Sequence, residues 1–289
     1  MRIAFQGVEG AYSQQAAREY FSNIKRLDTF EVVPKKDFPG VFASVQSGSV
    51  DYGIIPIENS LAGSIHQNYD LLRNSKVLIT GEYKLRIKHQ LIAAPHSKIS
   101  HIKKVFSHPQ ALSQCSEFLK NMKKITIIPH FDTAGAVRDL AKSMATDTAA
   151  IAGKEAASFY NMKVLKASIE NHESNYTRFF ILVKKTRKAT IPKNLSGTWK
   201  TSIVFALKSI PGCLNRCLSI FAIRDIDLLK IESRPLAGSP WKYLFYVDFA
   251  ESIWSEKGKR TLGHLSEITD NLQILGCYPP CRTSFSFRS

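Results

Sequence analysis

The sequence predicts an α/β protein built on parallel sheet, followed by a smaller βαββαβ unit of the ferredoxin-like split type. Three observations carry this. Short apolar strands alternate with amphipathic helical stretches up to Val183. A basic stretch containing Pro192 and Gly197 then breaks the pattern. Beyond it the periodicity resolves into strand, helix, two strands, helix and strand.

The elements follow in order. Ile3–Phe5 reads as a short buried strand closed by the loop Gly7-Val8-Glu9-Gly10. Ser13 is placed to cap a helix carrying Ala16, Ala17, Tyr20 and Phe21. Phe30–Val33 is a second strand, Val41, Phe42 and Val45 mark a second helix, and Tyr52–Ile57 is a third strand ending in the loop 56–60. Leu85–Ala94 reads as extended, and Lys104–Phe106 as a strand entering His108-Pro109-Gln110. Pro109 suits a first helical turn. Ala111, Leu112, Cys115, Phe118 and Leu119 then give one amphipathic helix. Ile125–Ile128 is a strand, Asp132-Thr133 caps the next helix, and Thr177–Val183 is the last strand before the break. From Lys184 to Lys200 there are six basic residues and no acidic one, the composition of an exposed linker. In the final unit Ser202–Leu207, Leu228–Ile231, Tyr243–Phe249 and Ile274–Tyr278 are strands; Leu214–Phe221 and Leu262–Leu272 are helices.

With 289 residues, 44% of them hydrophobic and 22% charged, the chain has ample material for buried cores. No apolar run approaches the eighteen or so residues of a spanning helix, so a membrane role is not expected. Arg2 followed by a short apolar run and Glu9 does not read as a signal peptide, which leads to an expectation of a cytoplasmic protein. The five cysteines fall in two CxxxC pairs plus one; the spacing is unlike a zinc knuckle, and reduced thiols with no metal are expected. A net charge of +16 favours anionic partners. No nucleic-acid motif accompanies it, leaving a small polycarboxylate ligand or simply a lysine-rich surface.

Seven segments, in order along the chain, resemble the prephenate dehydratase family. They are Gly7-Val8-Glu9-Gly10-Ala11-Tyr12-Ser13, Pro56-Ile57-Glu58-Asn59-Ser60, Ser107-His108-Pro109-Gln110-Ala111-Leu112, Asp132-Thr133-Ala134-Gly135-Ala136, Asn175-Tyr176-Thr177-Arg178-Phe179, Pro211-Gly212-Cys213-Leu214 and Ile231-Glu232-Ser233-Arg234-Pro235. The last two are similar to the motifs of the family's amino-acid-sensing ACT domain. The resemblance implies a two-lobed catalytic domain like that of periplasmic binding proteins over residues 1–185, a linker over 186–199 and an ACT domain over 200–282. It also implies loss of carbon dioxide and water from prephenate, giving phenylpyruvate, in phenylalanine biosynthesis. No cofactor is implied. A chorismate mutase activity is not expected from this chain.

By the same resemblance Thr177 is the catalytic donor to the leaving ring hydroxyl. Ser13, Asn59, Ser60, Gln110, Thr133, Arg178 and Phe179 bind substrate, with ordinary capping the alternative role for Ser13 and Thr133. Strand alternation puts Thr177 and Phe179 on one face and Arg178 on the other. Arg178 therefore either meets a substrate carboxylate through irregular backbone or pairs with a protein carboxylate. Glu58 is either a structural partner or a general acid, and His108 either titrates or stabilises its turn. In the ACT domain, Pro211, Gly212, Cys213, Leu214, Glu232 and Ser233 would hold phenylalanine as an inhibitor in a homodimer or homotetramer. Asn215 stands where the family has an apolar residue. Two other readings remain open at this stage: arogenate as substrate in place of prephenate, and a non-catalytic small-molecule-sensing module.

Overall fold

The computed structural model describes residues 1–23, 29–186, 197–207, 210–236, 238–239 and 241–281. Most of the expected linker, including Pro192, and the last residue of the expected ACT domain lie outside these. Chain contacts divide the protein into two compact units: Met1–Asn68 with Tyr83–Phe179, and Tyr69–Glu82 with the chain from Phe180 on.

The first unit contains two lobes. One begins with strand β1 (Arg2–Gln6), helix α1 (Tyr12–Ser22), β2 (Glu31–Lys35), α2 (Phe38–Ser47), β3 (Tyr52–Asn59), the short β4 (Gly63–Ser64) and the start of α3 (His66–Asn74). β1 pairs in parallel with both β2 and β3, as helical crossovers require. The chain passes along β5 (Val77–Arg86) into the second lobe: β6 (Gln90–Ala93), β7 (Lys104–Ser107), α4 (Pro109–Gln114), α5 (Ser116–Asn121), β8 (Thr126–Pro129), α6 (Thr133–Ser143), β9 (Thr148–Ala152), α7 (Lys154–Phe159) and β10 (Lys163–Lys166). It returns through β11 (Tyr176–Lys184), whose first residues join the sheet of the first lobe beside β3.

The second lobe's sheet runs β10-β6-β9-β7-β8. β7 is parallel to β8 and β9, but β6 is antiparallel to β9 and β10, so the sheet is mixed where parallel pairing was expected. The cause is topological. β7 to β10 are linked by helices and run one way, whereas β6 enters directly from the other lobe. Side chains alternate across this sheet. Leu91, Val105, Ala149 and Ile151 pack against α4 and α5 on one face, while Ile92, Ala150 and Ala152 meet α6 and α7 on the other.

The second unit carries β12 (Lys200–Leu207), α8 (Cys213–Ala222), β13 (Leu228–Pro235), β14 (Tyr243–Phe249), α9 (Glu256–Ile268) and β15 (Thr269–Tyr278), the expected βαββαβ order, with sheet order β13-β14-β12-β15. Ile203, Phe205, Val247 and Phe249 face α8 and α9. On the opposite face Lys200 is buried against Glu82 at 3.1 Å and Asp248 at 3.6 Å, a charge cluster satisfied internally. Leu272 lies in β15 rather than in the preceding helix, because α9 ends at Ile268. Among the described residues no helix is long and apolar enough to cross a membrane, and no cluster of His, Cys, Asp and Glu is placed to hold a metal ion.

The loop after β1 brings the two lobes together. Gly10 has φ +82, and a Cβ there would stand 2.5 Å from Ala156 Cα in α7. Its amide donates to Gln14 Oε1 at 2.7 Å. Gly10→Ala therefore combines left-handed strain with overpacking and should cost about 2 kcal/mol or more. Chemical denaturation checks this; an unchanged midpoint would contradict the close approach.

Candidate active site

The cleft of the first unit has a volume of about 280 Å³ and is lined from both lobes. Pro56 and Asn59 come from β3, Ala62 to Ile65 from the loop and β4 beyond it, and Thr177 and Phe179 from β11. The other wall has His89 ahead of β6, His108, Gln110, Ala111 and Gln114 at α4, and Thr133 at the start of α6. Tyr12 and Ser13 enter from the first turn of α1. Apart from the two titratable histidines, every lining side chain is uncharged at neutral pH.

The alternation expected in β11 holds: Thr177 and Phe179 line the cleft while Arg178 does not. The buried Arg178 guanidinium instead lies 3.8 Å from Glu58, the structural pairing of the two alternatives. Ser60 is also outside the lining. Its hydroxyl donates to Ser174 O at 2.8 Å and accepts from Tyr176 N at 2.9 Å, so it clamps the end of β3 to β11. Ser13 does not cap α1. The cap position is Ala11, and Ser13 sits inside the first turn with its side chain available to the cleft. Asp132 caps α6 by accepting from Gly135 N, which leaves Thr133 to face the cleft. His108 caps α4, its Nδ1 accepting from Gln110 N at 3.2 Å, the turn-stabilising role.

Asn59 organises the floor of the cleft. Its amide nitrogen donates to Asn175 Oδ1 at 2.8 Å, Tyr176 O at 3.2 Å and Thr177 Oγ1 at 3.0 Å. Its oxygen accepts from Leu61 N at 3.1 Å, Ala62 N at 2.9 Å and Gln114 Nε2 at 3.4 Å. Because Thr177 accepts from Asn59, its own hydroxyl hydrogen can be directed into the cleft.

Tyr12, His89 and Gln114 were not singled out from the sequence. The Tyr12 hydroxyl is 3.0 Å from Lys88 O and 2.9 Å from His89 Nδ1, and His89 Nε2 is 2.9 Å from Gln114 Oε1. Gln114 had one legible signal, its i, i+4 spacing from Gln110. His89 had none, lying between two strands read as one extended run.

Burial pushes His89 below the ordinary histidine range, against the opposing effects of its Gln114 hydrogen bond and the Glu170 carboxylate. Burial lowers His108 too, with Asp132 acting in the other direction. Burial first, then Cys115 and Glu170, holds the Tyr12 phenol well above its usual value. Burial likewise pushes the Cys115 thiol up to about 12. The cleft is thus neutral at physiological pH.

The expected effector residues lie in the second unit. Gly212, in the left-handed region at φ 75, precedes α8, and Cys213 is its buried first residue. Pro211 is exposed, Leu214 half-buried and Asn215 exposed. On β13, Glu232 lies 3.0 Å from Lys230, and Ser233 is exposed.

Residues 3–187 match the family model described as prephenate dehydratase. Arogenate dehydratase 2 of Petunia hybrida is 42% identical over 295 residues, covering 96% of this chain and 72% of its own length. A structure described as GqqA, a novel type of quorum quenching acylase, superposes with a TM-score of 0.87 at 29% identity, over 98% of this chain and 99% of that one. The prephenate dehydratase of Arthrobacter aurescens in complex with L-Phe gives a TM-score of 0.84 at 26% identity, over 96% and 90%.

The depressed histidines give a pH dependence with a definite sign. Folded His89 and His108 resist protonation, whereas in the unfolded chain they take up protons near pH ~6.5. The unfolded state then binds more protons, so stability rises with pH across this window. Stability should be full above about pH 6.5 and fall as the pH drops toward the folded values, with a shallower fall in His89→Gln. Denaturant titrations between pH 8 and 5 test this; a wild-type stability that rises on acidification would refute it.

Proposed function

Because the chain belongs to the prephenate dehydratase family, we propose that its cleft converts prephenate to phenylpyruvate by loss of carbon dioxide and water. The observation that carries the reading is the Thr177 hydroxyl, held by Asn59 in a cleft of uncharged groups. Substrate carboxylates are met at the first turns of α1 and α6. The leading N–H groups of each helix, at Tyr12 and Ser13 in α1 and at Thr133 and Ala134 in α6, have no intrahelical acceptor, the helix dipole is positive, and Ser13 and Thr133 add hydroxyl donors. Thr177 donates to the ring hydroxyl. As the carbon–oxygen bond breaks, the carbon–carboxylate bond releases carbon dioxide, and its electron pair completes the aromatic ring. The departing oxygen takes a proton and leaves as water. Fixed donors in a water-poor site stabilise the charge growing on that oxygen. Phe179 offers an apolar wall to the ring.

The second reading, arogenate, is favoured by the Petunia relative. Arogenate differs by an ammonium group, which would enter a lining that contains no carboxylate. This favours prephenate, since an unpaired buried cation loses solvation.

Further parts of the proposal concern the C-terminal unit. Residues 200–282 act as an ACT domain that binds phenylalanine, following a two-lobed catalytic domain over 1–185 with the periplasmic-binding-protein arrangement and a linker over 186–199. The open left-handed turn at Gly212 and the carboxylate of Glu232 support a site for an amino acid's carboxylate and ammonium groups, with Pro211, Cys213, Leu214 and Ser233 around it. The L-Phe complex of the Arthrobacter aurescens relative supports the same ligand. A cytoplasmic homodimer or homotetramer completes the proposal.

Thr177→Val is close to isosteric and should lower kcat/KM on prephenate by about 10²- to 10⁴-fold while leaving the melting temperature within a few degrees. The wild type should turn over prephenate faster than arogenate. Near-normal turnover in the variant would remove Thr177 from catalysis, and a preference for arogenate would establish the second reading.

A further inference from the structure

Three side-chain amides form a closed ring in the floor of the cleft. Asn59 Nδ2 donates to Asn175 Oδ1 at 2.8 Å, Asn175 Nδ2 donates to Gln114 Oε1 at 3.0 Å, and Gln114 Nε2 donates to Asn59 Oδ1 at 3.4 Å. All three bonds run in one sense. An amide keeps nearly the same shape when its oxygen and nitrogen exchange places, so its orientation is set by its partners. Reversing one member would set donor against donor or acceptor against acceptor at its neighbours.

We propose that Asn175 and Gln114 are positioning residues whose amides, closed into this ring, aim the Thr177 hydroxyl. The direction of the Asn59 amide decides where the threonine hydrogen goes. With its nitrogen toward Asn175 and β11, Asn59 donates to Thr177 Oγ1, which leaves the threonine hydrogen for the cleft. With the amide reversed, Asn59 would present oxygen to Thr177 and draw that hydrogen away from substrate. His89 is matched to this sense from outside the ring. Gln114 Oε1 lies 2.9 Å from His89 Nε2 and can only accept, so the neutral imidazole that fits the closed ring carries its hydrogen on Nε2. Gln114 thus keeps its nitrogen toward Asn59.

The ring also spans the two lobes. Asn59 ends β3, Asn175 precedes β11, and Gln114 ends α4 of the second lobe. The Gln114–Asn59 link is the longest of the three, and among the described residues it alone bonds the second lobe to Asn59. A small separation of the lobes breaks it first. The ring is therefore closed only when the lobes are together, which adds to the hold that Leu61 N and Ala62 N already have on Asn59 and couples closure over substrate to readiness for the proton-donating step.

This inference rests on the reading of Thr177 as donor, and a double-mutant cycle separates the two. Gln114→Met keeps length and removes both amide bonds; Asn175→Asp keeps shape and removes the donor to Gln114. Each should lower kcat at least about tenfold, and KM for prephenate should change less than about threefold in Gln114→Met. Combined with Thr177→Val, either change should slow the enzyme no further than Thr177→Val alone, because the ring acts only through that hydroxyl. Circular dichroism and melting temperature identify a variant that fails to fold, in which case the other carries the test. If the losses multiply in the double variants, or both single variants keep kcat within twofold of wild type, the positioning role is wrong while Thr177 remains the donor. If Thr177→Val itself keeps wild-type turnover, the reading of the site falls first.

Discussion

The side-chain amide of Asn59 is the contact on which the site depends. It sits where β3 ends, and all its bonds lie within the first unit: to the start of β11, to the two backbone amides after it, and to the helix of the facing lobe. Each bond alone is worth about 1 kcal/mol. Together they fix the direction of a group that is itself uncharged. The cleft consequently presents oriented dipoles rather than charges, and dipoles fixed during folding need no rearrangement when charge develops on a departing oxygen.

That arrangement explains why a protein of net charge +16 brings no lysine or arginine into its cleft lining. A cation beside each substrate carboxylate would bind the ground state strongly, and would also hold the carboxylate that must leave as neutral carbon dioxide. Helix starts and hydroxyls hold anions more gently. Arg178, one position from Thr177, illustrates the separation: strand alternation sends it to the far face, where it lies against Glu58. Burial keeps the two cleft histidines neutral. The surface charge is left to act at longer range on approaching anions.

Much of this was legible in the sequence, for reasons that differ by element. The loops at 7–13, 56–60, 107–112 and 175–179 carry residue types tied to specific turns, and six of the eight substrate and catalytic residues expected there or at Thr133 line the cleft directly: Ser13, Asn59, Gln110, Thr133, Thr177 and Phe179. Periodicity failed where local and tertiary signals part. Thr148–Ala152 is a fully buried central strand, yet its alanines have helical propensity, and only sheet neighbours on both sides make it a strand. The helix read through Cys115 is broken there into α4 and α5, its backbone leaving helical geometry at φ −114, although the apolar spacing continues across the break. Ser13 looked like a cap because its type fits one; Ala11 takes the position instead, and a hydroxyl in the first turn serves the cleft. His89 and Asn175 acquire their roles only from partners 25 to 116 positions away, which no local pattern encodes.

The central claim is that an uncharged cleft places one threonine hydroxyl against the oxygen that departs. The most direct measurement is a crystal structure of the slow Thr177→Val protein holding intact prephenate. The account predicts the ring hydroxyl oxygen within about 4 Å of the residue 177 side chain, Asn59 unmoved, and the carboxylates at the first turns of α1 and α6. A substrate bound with its ring hydroxyl directed away from β11, or with its carboxylates gripped by Arg178, would contradict it.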